Sequence, residues 1–413
     1  MTLISKESRV TMKKIYSRAI ASITLILSLT LMLSTFTSCK EQKKKIVKVG
    51  LLHSLTGTMS ISEIAVRDAE LLAIKEINES GGILGCQIKP IEEDGKSNPR
   101  MFAEKALKLI TQDNVSAIFG CWTSDSRKAV KPIVEQYYNL LWYPLQYEGF
   151  EASPNIMYMG AAPNQQVVPA VEYCAQHFGK RFYLIGSDYV YPHTANAIIK
   201  AQLKELGCTC VGEAYVPMHE SNFIKIVKEI SEIKPDVIIN TLNGSSNQSF
   251  FSQLKYTGPS AQEVPVMSFS ISEAEIKSIG IEKLNGHYLA WNYFESTETA
   301  KNLRFVSAYK KEYGGNKSVG DPVEAAYIAV NMWAAACNRA GTFDVEPVRI
   351  AAKNLSYIAP EGIVTIEGTN QHLYKIIRIG KINEKGQIDE LFSTSAPVRP
   401  DPYLSTYAWA KGL

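Results

Sequence analysis

The chain lacks the short motifs by which common classes of enzyme and nucleotide-binding protein are recognised. Its six histidines are scattered, and the sequence contains no HExxH zinc motif and no GxSxG nucleophile elbow. A GxxxxGKS/T phosphate loop is absent, and Gly81, Gly82 and Gly85 precede a predicted strand instead of following one. These absences argue against an exported amidohydrolase and a nucleotide-binding protein, so we predict that the chain is not an enzyme.

Cysteine patterns typical of metal sites are missing as well. Beyond Cys39 the cysteines form no CxxC pair, and none has the spacing to a histidine that a zinc site requires. They are Cys86, Cys121, Cys174, Cys208, Cys210 and Cys337. Their spacing leaves the disulfide connectivity open, and free thiols are the favoured interpretation of Cys208 and Cys210. We therefore predict no metal and no cofactor.

Neither sign of charge dominates once the N-terminal leader is set aside. Five of the 44 lysines and arginines and one of the 41 acidic residues lie in residues 1–38, so 39 basic and 40 acidic residues remain. A near-neutral chain gives no reason to expect a nucleic-acid partner or a strongly charged ligand. The 375 residues beyond the leader suffice for two domains of ordinary size.

Residues 1–38 have the features of a lipoprotein signal peptide. Basic residues from Lys6 to Arg18 precede an uncharged stretch, residues 19–33, which is short for a membrane span. The segment LSTFTSC then resembles the lipobox of bacterial lipoproteins, which predicts a lipidated Cys39 as the mature N-terminus. Residues 39–45 follow as a charged tether. A plain secretory peptide or an uncleaved anchor is the alternative.

Short apolar runs alternate with helical patterns along most of the remaining chain. Strands are predicted at residues 46–52, 87–92, 115–119, 140–143, 182–187, 210–215, 237–241, 264–269, 287–291, 362–367, 374–379 and 387–391. Short strands separated by helical crossovers indicate parallel sheets with helices on both faces. The fold class is therefore α/β and doubly wound, twice over. The chain shows no internal repeat, low-complexity block or interdomain linker, which favours lobes joined by several short crossovers.

Segments rich in aromatic and polar residues directly follow several predicted strands. The most pronounced is LWYPLQYEGF, residues 141–150, where aromatic side chains stand beside a glutamine and a glutamate. This mixture suits the wall of a small polar site better than a core strand. In doubly wound sheets, ligands bind beyond the carboxyl ends of the strands. We therefore expect these segments to converge on a binding site.

Nine segments, in a common order and spacing, resemble a known protein family. They are VGLLHSLTGTMS, FGCWTSDSRKAVKP, WYPLQYEGF, AAPNQQ, IGSDYVYP, SFSISEAE, LAWNYF, PVEAAY and RPDPY, between Val49 and Tyr403. The chain resembles type I periplasmic solute-binding proteins, most of all the urea-binding components of ABC transporters in the branch that binds urea and short-chain amides. A cytoplasmic amide sensor shares the fold, but the leader argues against that location.

The resemblance implies two doubly wound parallel-sheet lobes, joined by three crossovers, that close on a ligand. The first lobe would comprise residues 46–160 and 291–354, and the second residues 161–290 and 355–413. The chain would be an extracytoplasmic lipoprotein in the periplasm or on the outer face of the cytoplasmic membrane. Its partners would be urea or a small amide, the membrane through a lipid anchor, and the permease subunits of the transporter.

The candidate ligand-binding residues follow from this resemblance and from the chemistry of urea. They are Trp122, Ser124, Tyr143, Gln146 and Tyr147 in the first lobe, Tyr189, Tyr191 and Glu273 in the second, and Glu324 near the crossovers. Urea offers one carbonyl acceptor and four N–H donors, so a dry site needs several acceptors. Glu324 would accept from two N–H groups, and Gln146 would both accept and donate.

Four of these residues also have a structural interpretation. Tyr147 can pack in a loop, Tyr191 can hold the turn before a proline, Glu273 can cap a helix, and Glu324 can be a solvated helix carboxylate.

The alternative ligand classes are short-chain amides and branched-chain amino acids. An amino acid requires a clamp for its carboxylate, and the motifs contain no lysine or arginine except Arg127 and Lys128 on the helix beyond Ser124.

Overall fold

The computed structural model describes residues 6–34 and 45–413, and the chain divides into two compact units at residues 45 and 46. The first unit contains helix α1 (Lys6–Ser34) within the predicted signal peptide. Cys39 and residues 39–44 of the tether lie outside the described residues. None of the described helices combines the length and apolar character needed to cross a membrane.

In the second unit, five short strands form the sheet of the first lobe, in the order β2-β1-β3-β4-β5. They are β1 (Lys45–His53), β2 (Cys86–Asp94), β3 (Ile118–Gly120), β4 (Leu141–Tyr143) and β5 (Ile156–Tyr158). β1 pairs with β3, β3 with β4, and β4 with β5, all in parallel. Helices α2 (Ser60–Glu79), α3 (Pro99–Thr111) and α4 (Ser124–Gln136) connect successive strands. The sequence analysis missed β5, which has only three residues.

The second lobe repeats this arrangement with the order β7-β6-β8-β9-β10. Its parallel strands are β6 (Arg181–Ser187), β7 (Thr209–Val216), β8 (Val237–Thr241), β9 (Val266–Ser268) and β10 (Tyr288–Trp291). The helices are α5 (Val167–His177), α6 (Val190–Glu205), α7 (Ile224–Ile233), α8 (Ser246–Thr257), α9 (Glu273–Ile279) and α10 (Ile281–Leu284). Both lobes are thus doubly wound, with the same order of parallel strands.

The chain then returns to the first lobe. Helices α11 (Ala300–Tyr313), α12 (Asp321–Ala340) and α13 (Val345–Ala352) follow β10. α12 packs against α2, and the ring of Trp333 meets that of Phe119 edge-on at 5.8 Å. These contacts bury α12 in the core of the first sheet.

The C-terminal strands divide between the two lobes, and this corrects the predicted boundary at residue 355. β11 (Ser356–Ala359), β12 (Gly362–Ile366) and β13 (Leu373–Tyr374) form a small antiparallel sheet. Its inward side chains, such as Val364 and Leu373, are buried in the core of the first lobe. Only β14 (Arg378–Ile382) and β15 (Ile388–Ser393) extend the second sheet, antiparallel to β10.

The predicted strand at residues 374–379 was also wrong. The chain leaves β13 at Tyr374 and enters β14 only at Arg378. Lys375 lies between them and bridges to Val398 instead. The chain therefore passes between the sheets three times: after β5, after β10 and before β14.

Local signals account for the start of α3. The side chain of Asn98 accepts hydrogen bonds from the backbone N–H groups of Arg100 and Met101, and Pro99 is the first residue of the helix. All six cysteines beyond residue 45 are free thiols, which agrees with the interpretation of Cys208 and Cys210.

Candidate functional site

The loops at the carboxyl ends of the parallel strands face one another across the two lobes. In the first lobe these loops follow β1, β3 and β4, and in the second they follow β6, β8 and β9. Three polar contacts join the two sets. Trp122 Nε1 lies 3.4 Å from Asn243 Oδ1, Thr58 Oγ1 lies 2.8 Å from Ser245 Oγ, and Gln146 Nε2 donates to the carbonyl oxygen of Phe269 at 2.8 Å. The cleft between the lobes is thus closed.

Three polar side chains in this cleft each have one buried atom without a partner at hydrogen-bond geometry in the described part of the chain. These atoms are Gln146 Oε1, the Tyr191 hydroxyl and Ser270 Oγ. Burial raises the pKa of Tyr191, and hydrogen-bonding interactions with Gln146 and Ser270 oppose this rise, so the three groups lie close to one another. We call these three residues the cleft triad. One member comes from the first lobe and two from the second.

A small cavity of about 90 Å³ lies between the lobes, and none of the triad residues lines it. Residues of both lobes line it, including Ser54, Glu63, Asp125 and Tyr189. The Tyr189 ring is 6.4 Å from that of Tyr191 and connects the cavity to the triad. Since a water molecule takes up about 30 Å³, the cavity matches a molecule of a few non-hydrogen atoms.

The wall that the first lobe contributes is rich in carboxylates. His53, the last residue of β1, lies between Glu70 and Glu63, with Nε2 2.9 Å from one carboxylate and Nδ1 3.5 Å from the other. Burial lowers the pKa of His53, but these carboxylates outweigh it and raise the pKa to about 9. Glu63 also accepts from the backbone N–H of Ser54 at 2.8 Å. The histidine is therefore engaged as a cation between two acids.

Trp122, Ser124 and Tyr143 lie together at the ends of β3 and β4. The Tyr143 hydroxyl donates to the Trp122 carbonyl oxygen at 2.6 Å. Ser124 opens α4, and its hydroxyl is hydrogen-bonded to Glu148 and accepts from Arg127 at 3.0 Å. The structure thus brings these three predicted residues together with Gln146 and, across the cleft, with Tyr189 and Tyr191.

Tyr147 does not face the cleft. Its ring stacks on Tyr158 and His372, at centroid distances of 5.0 and 5.5 Å. Its hydroxyl lies 2.6 Å from the Glu151 carbonyl oxygen and 2.7 Å from His372 Nε2. These contacts favour the packing interpretation of Tyr147 over a role in ligand binding.

Glu273 stands apart from the triad as well. It is the first residue of α9, and Oε1 accepts from the backbone N–H of Glu295 at 2.8 Å. Burial raises the pKa of Glu273 to about 8. It borders a larger cavity of about 510 Å³ between α11 and the β14–β15 turn, away from the loops of the cleft.

Glu324 lies among the crossovers and not with the triad. One of its carboxylate oxygens accepts from the Glu361 backbone N–H at 3.2 Å. Lys375 donates to Glu361 Oε1 at 2.8 Å and to the Met159 carbonyl oxygen at 3.2 Å. Asp321 accepts from the Asn292 backbone N–H at 3.0 Å. Asp321, Glu324, Glu361 and Lys375, the crossover cluster, connect all three crossovers.

The crossover cluster is charged and buried. Burial and the neighbouring Glu361 raise the pKa of Glu324 well above its ordinary value, and burial raises that of Glu361 to about 6. Each of the three carboxylates has one oxygen without a hydrogen-bond partner in the described chain. The role of Glu324 as a direct ligand contact stays a prediction that this geometry does not favour.

The sequence analysis missed Asn243 and Ser270. Each follows the carboxyl end of a predicted strand, β8 or β9, and Ser270 lies within the SFSISEAE segment. Their position beyond these strands was the signal that would have identified them.

Comparisons with known proteins agree with this architecture. Residues 47–408 match the family model of the periplasmic binding protein domain. The chain is 23% identical over 365 residues to Leu/Ile/Val-binding protein homolog 4 of Brucella melitensis, covering 83% of this chain and 85% of the relative. A 127-residue segment, 31% of this chain, is 29% identical to a limonene hydroxylase of Geobacillus stearothermophilus, of which it covers 23%.

Solved structures show the same fold. A solute-binding protein of an ABC transporter from Rhodopseudomonas palustris BisB5, in complex with 3,4-dihydroxybenzoic acid, has a TM-score of 0.76 at 22% identity and covers 86% of this chain and 99% of its own. The branched-chain amino acid binding protein LivJ of Streptococcus pneumoniae, in complex with isoleucine, has a TM-score of 0.74 at 20% identity, with coverages of 86% and 100%. The predicted type I periplasmic-binding-protein fold is confirmed, and the chain belongs to the periplasmic binding protein family.

Proposed function

We propose that the chain is an extracytoplasmic solute-binding lipoprotein that captures urea, or another small neutral amide, in the interlobe cleft and delivers it to the permease of an ABC transporter. The observation that supports this most is the cleft triad. Gln146 Oε1, the Tyr191 hydroxyl and Ser270 Oγ are buried, uncharged and unpaired within the described residues. A buried polar group without a partner costs roughly 1–3 kcal/mol, so a ligand that pairs all three binds with a substantial gain.

The hydrogen-bonding capacity of the triad suits an amide. Gln146 Oε1 is an acceptor for an N–H group, while the hydroxyls of Tyr191 and Ser270 each donate one hydrogen bond and accept others. Urea presents N–H groups on two sides and a carbonyl oxygen on the third, so it can satisfy acceptors and donors together. Because the triad carries no charge, it offers an ionic ligand no additional electrostatic attraction.

Charge in the surrounding wall also favours a neutral ligand. Glu63 and Asp125 line a cavity between the lobes, and the guanidinium of Arg127 is paired with Glu148 and Glu151 at 3.0 and 2.9 Å. An anionic ligand would approach carboxylates and find the nearest arginine already occupied.

A carboxylate ligand is the second candidate, and the relatives favour it. Curated relatives carry the name Leu/Ile/Val-binding protein homolog, and structural neighbours contain isoleucine or hydroxylated benzoates. All these ligands carry a carboxylate, which requires an available cation or several free N–H donors. The pairing of Arg127 is the observation against them.

Lobe closure would couple binding to transport. A ligand shifts an open–closed equilibrium only if it interacts better with one state. Because Gln146 belongs to one lobe and Tyr191 and Ser270 to the other, a ligand that contacts all three favours the closed state. The closed protein would then present a composite surface to the permease.

Isothermal titration calorimetry with urea, acetamide, isoleucine and 4-hydroxybenzoate tests the proposal. We expect urea to bind with a micromolar Kd or tighter, and isoleucine and 4-hydroxybenzoate to give little heat. Ser270→Ala should weaken urea binding about ten-fold, because it removes one hydrogen-bonding partner. The matched control is Ser231→Ala, whose hydroxyl bonds within α7, and it should bind urea like the wild type. An absence of binding heat with urea, together with a clear binding isotherm for isoleucine, would overturn the assignment.

Two further assays test the class and the location. No ammonia should form from urea or acetamide, because a binding protein releases its ligand unchanged. The cellular protein should incorporate labelled fatty acid, and Cys39→Ser should abolish the label, since Cys39 is the proposed anchor.

A further inference from the structure

Arg127 is the most completely paired arginine near the cleft. It projects from α4 and is fully buried. Nη2 contacts Glu148 at 3.0 Å, Nε contacts Glu151 at 2.9 Å, and Nη1 donates to Ser124 at 3.0 Å. Its guanidinium also lies over the rings of Tyr143 and Tyr147, at 5.1 and 4.7 Å from their centroids. All three guanidinium nitrogens therefore have partners, and two aromatic rings lie against the group.

The two carboxylates on Arg127 differ in where they lie. Glu148 follows β4 and is hydrogen-bonded to Ser124, and its charge acts on Tyr189 and Tyr191 in the other lobe. Glu151 lies near the side chains of Lys131 and Tyr158, and it shares Lys128 with Glu148. Glu148 is thus the carboxylate that stands between Arg127 and the cleft.

A guanidinium matches a carboxylate because its N–H groups form a planar fork that fits two oxygens. Glu148 fills that place with a residue of the protein itself. We propose that Glu148 is the specificity-determining residue that makes this cleft reject carboxylate ligands, because it occupies the Arg127 guanidinium that would otherwise bind them. The inference rests on the proposed function, in which the ligand is neutral.

The surrounding charges act in the same direction. Asp125, in the first turn of α4, and Glu63 line the cavity between the lobes. Lys128 is shared between Glu148 at 3.6 Å and Glu151 at 3.4 Å, so it does not offer a free cation to the cleft. Removing the charge of Glu148 leaves Arg127 with one acidic partner and a free edge on the cleft side.

Glu148→Gln tests this directly, because glutamine keeps the size of the side chain but removes the charge and one of its two acceptor oxygens. With 4-hydroxybenzoate and isoleucine as the probes, we expect at least about a ten-fold gain in affinity over the wild type by calorimetry, as an attraction of an unpaired guanidinium at contact distance would give. Glu151→Gln is the matched control, since it removes the same charge from the Nε position of Arg127 and should bring no gain.

A second variant covers the case in which Glu148→Gln folds poorly. Glu148→Ala vacates the site, so a carboxylate from solution should occupy Arg127 and raise the melting temperature, as any ligand of the native state does. Acetate should therefore stabilise Glu148→Ala in a concentration-dependent manner and leave the wild type and Glu151→Ala unchanged.

The outcomes separate this inference from the proposed function. If the wild type does not bind urea, the proposal of a neutral ligand is wrong. A gain of carboxylate binding in Glu148→Gln would still support the role of Glu148. The inference is overturned if neither Glu148 variant responds to a carboxylate, or if the Glu151 variants respond equally. It is also overturned if the wild type already binds 4-hydroxybenzoate or isoleucine tightly.

Discussion

The cleft triad and the crossover cluster are both buried and polar, yet they differ in charge and in their connections. The triad consists of Gln146, Tyr191 and Ser270, which are neutral and leave three atoms unpaired within the described chain. The crossover cluster holds three carboxylates around one lysine and connects the segments that join the lobes. Unpaired neutral groups in a cleft suit a ligand that comes and goes. Carboxylates held by Lys375 and by backbone N–H groups among the crossovers suit a fixed structure.

The largest expected effect is on the crossover cluster. Lys375→Met removes the cation shared by Glu361 and its neighbours, and breaking a buried ion pair costs roughly 3–5 kcal/mol. We expect the melting temperature, measured by circular dichroism during heating, to fall by many degrees. Heat is preferable to denaturants because urea and guanidinium resemble the proposed ligand. The control is Lys228→Met, whose side chain is 76% exposed and should change stability by less than about 0.5 kcal/mol.

A smaller effect is expected on the pH dependence of stability. The folded pKa values of Glu324 and Glu361 lie above 4.5, so the stability they contribute is complete below pH 4.5 and is lost as the pH rises, through about 6 for Glu361. The shift of Glu361 from 4.5 to about 6 corresponds to roughly 2 kcal/mol. Glu324→Gln should therefore flatten the fall in melting temperature between pH 5 and 8.

The urea affinity of Glu324→Gln shows whether Glu324 acts only within the crossover cluster or also contacts the ligand. If Glu324 acts only within the crossover cluster, Glu324→Gln binds urea like the wild type. A large loss of affinity would instead support the sequence-based prediction of a direct ligand contact. Glu298→Gln, at an exposed position, should keep the wild-type pH dependence.

A substitution in the cleft triad should lower the affinity for urea without lowering the stability of the fold. Tyr191→Phe removes a buried hydroxyl that has no partner within the described chain, so the melting temperature should stay level or rise. Urea affinity should fall about ten-fold, because a hydrogen bond to the ligand is lost. Tyr143→Phe is the contrast: its hydroxyl donates to the Trp122 carbonyl oxygen, so this variant should lose stability. A destabilised Tyr191→Phe with normal affinity would place Tyr191 outside the site.

The smallest effect concerns closure of the lobes. Gly244 has φ +63°, and an added Cβ would lie 3.0 Å from the Thr58 carbonyl oxygen across the cleft. Gly244→Ala should lower urea affinity by a few-fold, because it disfavours the closed state. Gly207→Ala carries the same backbone strain at φ +62° with no atom within 4 Å of the new Cβ, so its affinity should stay normal. Equal losses in both variants would indicate strain rather than closure.

The sequence predicted the positions of the strands better than it predicted which side chains contact one another. The strands at the centres of both sheets follow from apolar runs, and Gln146 and Tyr191 follow from motifs beyond those strands. The interruption at Lys375 arises from its pairing with Glu361 and Val398, which no local pattern reveals. Glu324 illustrates the same limit, and its direct contact with a ligand stays a prediction. The local sequence around a carboxylate near a helix start is the same whether the carboxylate binds a ligand or pairs with a lysine of the same chain.

The division of the first lobe between distant parts of the chain has a consequence for the order in which the protein is assembled. β1 to β5 are synthesised first, but the core they form also needs Trp333 of α12 and Leu373 of β13, far along the chain. The parallel strands of the second lobe, in contrast, are contiguous from Arg181 to Trp291. Contacts between distant residues form slowly, because a long loop must close first. The first lobe is therefore completed only after residues far along the chain have been synthesised, and the second sheet likewise gains β14 and β15 last.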